Sequence, residues 1–264
     1  GERVWATEKG WKKFHWTAED NPYIPNYEEF IEDVCKSKGI TKDAPFIQRE
    51  YYGIIGAYDR EAQVMKDYKT YSTDAPLDFV PERVDIGVDF GFMDSNSIIA
   101  LAYNNEKARV IEERKFNKAA ASEIVKQIQE VYSNSKKFLI ENNKDANIND
   151  VNIFCDSNAK EIVYELYSVQ KLPAYICYKY NKQLAISQMS EFCRTGKIVV
   201  PQDGILSDEF DRILYKRDDE DNILPEIDED LYHGDSFYAL LYACRQMWYQ
   251  TGNELGGESS EDWQ

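Results

Sequence analysis

Val84-Asp-Ile-Gly-Val-Asp-Phe-Gly91 is an apolar run that carries two aspartates and ends in a glycine turn. Strand alternation puts Ile86, Val88 and Phe90 on one side and Asp85, Gly87 and Asp89 on the other. Outward from it, the pattern predicts further strands at 96–103 and 107–115, separated by short turns at 93–95 and 104–106. Such spacing makes an antiparallel meander. An amphipathic helix follows at about 119–139, with Ile124, Ile128 and Val131 on one face and Val125 beside them. Beyond it come a strand (151–155), a helix (158–168), a strand (173–177), a helix (182–193) and a strand (197–200). A helix near 203–214 leads into an acidic excursion, and a last helix spans about 232–250.

An antiparallel meander, a helix, then alternating strand and helix is the element order of the ribonuclease H-like fold. The expected class is therefore α/β, a mixed sheet flanked by helices, with a short helical N-terminal segment. That segment, 1–82, holds helical patches at Tyr27–Ser37, after Pro25 and before Gly39, and at Pro45–Ala57. Asp74-Ala-Pro76 and Val80-Pro81 break regularity and mark a linker near 70–82. Residues 83–250 form the main domain and 251–264 an acidic tail.

Asp156 ends the apolar run Val151-Asn-Ile-Phe-Cys-Asp156, and Asp235 lies at the start of the last helix. On that helix Phe237, Leu240, Leu241, Cys244 and Trp248 make an apolar stripe, which leaves Asp235, Ala239 and Tyr242 on the far side. All three carboxylates are thus expected to avoid the apolar packing faces and to meet at one edge of the sheet. Carboxylates on rigid elements suit hard cations such as Mg²⁺ or Mn²⁺. Two such ions about 4 Å apart activate water and stabilise a leaving oxygen. The three aspartates therefore point to phosphodiester hydrolysis, with Asp89, Asp156 and Asp235 as ligands of a two-ion site. Asp94 in the following turn and His233 are candidate assistants, and Lys179 and Lys182 candidate contacts to a nucleic-acid backbone. Glu161, just past Asp156, reads as a solvated helix residue.

A net charge of −17 argues against a free-standing tight binder of nucleic acid. Much of the excess sits at 218–221, 226–230 and 258–262, outside any expected contact surface, and a metal-dependent site is itself acidic until cations bind. Five scattered cysteines (35, 155, 177, 193, 244) give neither a disulfide framework nor a zinc site, which implies a reducing compartment. No apolar stretch suggests a membrane span. The opening Gly1-Glu-Arg-Val-Trp5 reads as the inside of a longer protein.

Residues 83–250 resemble the nuclease domain of phage terminase large subunits. The matching pieces are Ile86-Gly-Val-Asp-Phe-Gly-Phe-Met-Asp94, Ile153-Phe-Cys-Asp-Ser157, Thr195-Gly-Lys-Ile-Val-Val-Pro201 and His233-Gly-Asp-Ser-Phe-Tyr-Ala-Leu-Leu-Tyr-Ala243. The last piece departs from the family in spacing, since only Gly234 separates His233 from Asp235, and in having Ser236-Phe237 where alanine is usual. Residues 44–53 resemble the segment that joins the family's ATPase domain to its nuclease. The resemblance implies a metal-dependent endonuclease that cuts double-stranded DNA during packaging, in the cytoplasm of a bacterial host. It also implies an upstream ATPase domain, a portal and a small terminase subunit as partners. No Gly-x-x-x-x-Gly-Lys-Ser/Thr loop occurs, so this stretch is expected to cut DNA without hydrolysing ATP. Two rivals remain: another ribonuclease H-like nuclease of the junction-resolvase or transposase kind, and a non-catalytic docking module of a packaging motor.

Overall fold

Residues 17–38, 41–42, 47–48, 51–53, 59–91, 95–117, 119–177, 181–218, 220, 222–245 and 247 are described by a computed structural model of the chain. The chain forms two compact units, Gly1–Gln63 and Val64–Gln264. In the first, helix α1 (Tyr27–Lys38) buries Ile31 and Cys35 against Ile47, with the Tyr27 and Tyr52 rings meeting edge to face. The second expected helix, 45–57, falls mostly outside the described residues.

The second unit is built on strands β1 (Lys69–Tyr71), β2 (Arg83–Asp89), β3 (Ser95–Tyr103), β4 (Ala108–Asn117), β5 (Val151–Asp156), β6 (Ala174–Cys177) and β7 (Ile198–Pro201). Their order across one sheet is β1-β7-β4-β3-β2-β5-β6. The β2–β3–β4 meander is antiparallel, and β5 and β6 extend it in parallel on the β2 side. Strand β7 pairs in parallel with β4, and β1 with β7, so residues inside the stretch read as linker supply an edge strand. A separate hairpin, β8 (Tyr215–Arg217) and β9 (Ile223–Ile227), occupies the acidic excursion. The expected helix at 203–214 is shorter than its pattern, which ends where this hairpin begins.

Helices cover both faces, as a sheet with parallel members requires. On one side α2 (Ala121–Asn142) and α3 (Lys160–Tyr164), continued by a π turn at Glu165–Val169, pack on Val84, Ile86, Val88, Ile98 and Ile153. On the other lie α4 (Lys182–Thr195), α5 (Ile205–Phe210) and α6 (Asp235–Ala243), over Ile99, Leu101, Val110 and Phe154.

Helix α6 corrects the expected amphipathic stripe. Every residue from Asp235 to Ala243 is buried, and the helix lies against β2, β3 and β5. The side bearing Ala239 and Ala243 faces the sheet at Gly87. A Cβ there would stand 1.8 Å from the Ala239 carbonyl oxygen and 2.7 Å from the Ala243 nitrogen. The face of β2 that carries Asp85 and Asp89 is therefore a packing face, and the aspartates belong to it instead of avoiding it.

Asp85 is fully buried on that face, accepting a hydrogen bond from Tyr103 Oη at 2.7 Å and a longer one from Asn152 Nδ2 at 3.4 Å. Burial pushes its carboxyl up to about 7, against the pull of those two hydrogen bonds. A carboxyl raised in the folded state stabilises the protein fully below its unfolded value, and this contribution is lost as pH rises through the folded value. Relative to Asp85→Asn, the wild-type chain is expected to lose about 2 kcal/mol of unfolding free energy between pH 5.5 and 7.5. Urea titrations of both proteins at the two pH values measure it, and a difference that does not change with pH contradicts the assignment.

Candidate active site

Strand register sets the site. Asp89 pairs with Ser97 across β2–β3, and Ser97 with Lys115 across β3–β4. Val88 pairs with Cys155, so one step further along both parallel strands puts Asp156 beside Asp89. Paired residues point to the same side of a sheet, so Asp156, Asp89, Ser97 and Lys115 form a row under the first turn of α6. Ser236 Oγ stands 2.9 Å from Ser97 Oγ, and Asp235 Oδ2 stands 2.8 Å from Lys115 Nζ. The three aspartates are buried, and each rides on a different element.

Charge binds these groups together. Burial alone would raise the Asp235 carboxyl, but His233 and Lys115 outweigh it and hold it below the usual carboxylate range. His233 Nδ1 lies 3.2 Å from Asp235 Oδ1, and this contact raises the imidazole, with Asp89 and Glu229 adding to the effect. The Tyr242 phenol is raised first by burial and then by both Asp89 and Asp156, so one ring senses two of the carboxylates. Ser157 Oγ and Asn158 Nδ2 each donate to Asp156 at 3.3 Å.

Lys115 and Glu209 are parts of the site that sequence reasoning missed. The Lys115 ammonium also donates to Glu209 Oε1 at 2.7 Å, while Glu209 Oε2 accepts from the Phe237 backbone N–H at 2.8 Å. Burial works against the charged Lys115, and Asp235 and Glu209 outweigh it and raise its pKa. In the sequence Lys115 closes Glu112-Glu113-Arg114, a run that looks like the solvated side of a strand, and Glu209 looks like one more acid on a helix. No signal in the sequence marks either: alternation puts Lys115 on the face of Glu113, which reads as solvated too.

Lys182, at the start of α4, is engaged by its neighbours. Its ammonium pairs with Glu229 at 3.0 Å and sits over the Tyr238 ring, 4.5 Å from the centroid. A groove of about 370 Å³ lies there, lined among others by Lys182, Ile186, Tyr215, Lys216 and Glu229. Glu161 is exposed on the first turn of α3. Asp94 and Lys179 lie outside the described residues.

The donors are hard oxygens of the kind Mg²⁺ or Mn²⁺ takes, held on rigid elements. Their kind fits a divalent ion; their placement does not yet. Among the described residues no group of three or more His, Cys, Asp or Glu side chains stands close enough to hold a metal ion. Asp235 is instead engaged by Lys115 and His233, while Asp89 and Asp156 stand at adjacent strand ends.

No family model and no curated protein matches the chain. Solved structures do, among them large terminase proteins. The large terminase nuclease domain of bacteriophage SPP1 with bound Mn superposes with a TM-score of 0.52 at 15% identity, covering 69% of this chain and 97% of that one. A large terminase from a thermophilic bacteriophage, in complex with ATP-gamma-S, gives 0.52 at 13% identity, covering 87% of this chain and 54% of that one. The ADP complex of the same terminase gives 0.51 at 15% identity, with 92% and 56% covered. The chain thus spans about half the length of that thermophilic phage protein. The shared fold is that of the terminase nuclease, a ribonuclease H-like α/β sheet.

Proposed function

We propose that this chain is the nuclease part of a phage DNA-packaging large subunit, a metal-dependent endonuclease acting on double-stranded DNA. The observation that supports it is the row itself. Asp89 and Asp156 stand side by side at the ends of β2 and β5, with Asp235 carried over the same face by α6. That arrangement sits in a fold shared with a manganese-bound terminase nuclease domain. Asp89, Asp156 and Asp235 are the residues that would hold Mg²⁺ or Mn²⁺, and a pair of bound ions would supply the charge that activates a water and takes up charge on the leaving oxygen. The chain's own part is to fix the three carboxylates on two strand ends and one helix. His233 orients Asp235 through Nδ1, and Asp94 is a further candidate ligand.

A weak grip on DNA follows from the net charge of −17. Lys182 contributes to that grip only by leaving Glu229, and Lys179 is proposed beside it. An ATPase domain elsewhere in the protein, a portal and a small terminase subunit are the partners this role requires, in the cytoplasm of a bacterial host. No helix among the described residues is long and apolar enough to cross a membrane.

The test is supercoiled plasmid at low salt with Mn²⁺, Mg²⁺ or EDTA, alongside Asp235→Ala. Nicked and linear forms are expected with either metal in the wild type, none in EDTA, and a loss of about 10²-fold or more in the variant. Undiminished cutting in EDTA or by the variant overturns the assignment.

A further inference from the structure

We propose that Lys115 is the resident cation of the carboxylate site: its ammonium holds Asp235 in an ion pair, and a divalent ion binds only when that ammonium releases Asp235 and stays with Glu209. The inference rests on reading the three aspartates as metal ligands.

Asp235 has two carboxylate oxygens, and both are engaged. Oδ1 meets His233 Nδ1 at 3.2 Å and Oδ2 meets Lys115 Nζ at 2.8 Å. An ammonium and a divalent cation cannot share one carboxylate oxygen without strong repulsion, which a half-buried setting screens poorly. Lys115 therefore competes with metal for Asp235.

The same ammonium has somewhere to go. Glu209 Oε1 lies 2.7 Å from Lys115 Nζ, and Glu209 is 1% exposed, pinned at Oε2 by the Phe237 N–H. This carboxylate does not depend on Asp235 for its position, so it can keep the lysine charge paired after Asp235 has left. A lysine whose only acceptor was Asp235 would be stranded by metal binding, and one paired only with Glu209 would not hinder it. Lys115 touches both, so its side chain can pass from a shared to a single partner without losing a counter-charge.

Lys115 itself stands at the β4 end of the row. Lys115 lies three strands from Asp156, roughly 14 Å at the strand spacing, with Ser97 and Asp89 between them.

The experiment is Mn²⁺ binding, read as the free Mn²⁺ signal in electron paramagnetic resonance. It compares wild type, Lys115→Met, the double variant Lys115→Met/Glu209→Gln, and Asp89→Asn as the ligand control. The double variant removes both charges of the buried pair, so the chain is not left with an unpaired Glu209 if the single variant folds poorly. Removing a competing charge at this distance is expected to tighten Mn²⁺ binding by about tenfold or more. Damage to the fold would weaken binding, so tightening separates competition from a merely structural role. Equal or weaker binding by the double variant, with wild-type binding intact and lost in Asp89→Asn, overturns the role of Lys115 and leaves the ligand assignment standing. No Mn²⁺ binding by wild type or either Lys115 variant overturns both.

Discussion

Asp89→Asn is expected to leave the chain folded and to cut plasmid at least about 10³-fold more slowly in Mn²⁺. The substitution keeps the shape of the side chain and removes only its charge. In the folded protein that charge is surrounded by groups that register it: it adds to burial in raising the Tyr238 and Tyr242 phenols, and to Asp235 in raising the His233 imidazole. It is buried at the end of β2, beside Asp156, and two like charges this close in a buried setting repel each other. Neutralising one of them relieves that repulsion while removing the charge a divalent ion needs. Two readouts decide it together: the urea midpoint, expected at or above wild type, and the nicking rate, expected near zero. A stable variant that still cuts at the wild-type rate removes Asp89 from the chemistry.

Gly87→Ala is expected to cost about 3 kcal/mol or more of stability. The new methyl would meet the Ala239 carbonyl oxygen at 1.8 Å and the Ala243 nitrogen at 2.7 Å. Both are backbone atoms of α6, so no rotamer change relieves the clash, and the helix has to lift off β2. Leu240, Phe237 and Phe210 would lose packing as it moved. Ala239→Gly does not rescue the variant, because the obstructing atom is the main-chain oxygen that glycine also carries. Urea unfolding measures the loss, and an unchanged midpoint would mean that α6 does not approach β2 this closely. Lifting α6 also carries Asp235 away from the row, so cutting is expected to fall with stability.

The features legible in the sequence were those carried by local pattern. Alternation in 84–90 and 96–103 marks strands, since neighbouring positions of a pleated chain face opposite ways. Asp89 and Asp156 stand out because each ends an apolar run. The element order, and with it the ribonuclease H-like class, follows from such runs taken in sequence. Residues whose role depends on distant partners were not legible. Strand β1 is short and mostly exposed, and gains its place only from pairing with β7 far along the chain. The hairpin at 215–227 is hidden by acidic residues and Pro225, which local propensity assigns to loops. Helix α6 is apolar nearly all round, so its periodicity could not say which side meets the sheet. Here Gly87 was the better guide, because a glycine inside a strand marks a close backbone approach. The Lys115–Glu209–Asp235 contacts join three separate elements, and no spacing rule in one element announces them.

The burial of α6 on all sides has a consequence for motion. A helix with no solvent-facing side has no independent way to fray, so its amide protons exchange with solvent only when the whole unit opens. Asp235 therefore stands on one of the slowest-opening segments of the protein. Adjustment of the site to a cation is left to the side chains of Asp235, Lys115 and His233 themselves, over a backbone that stays still.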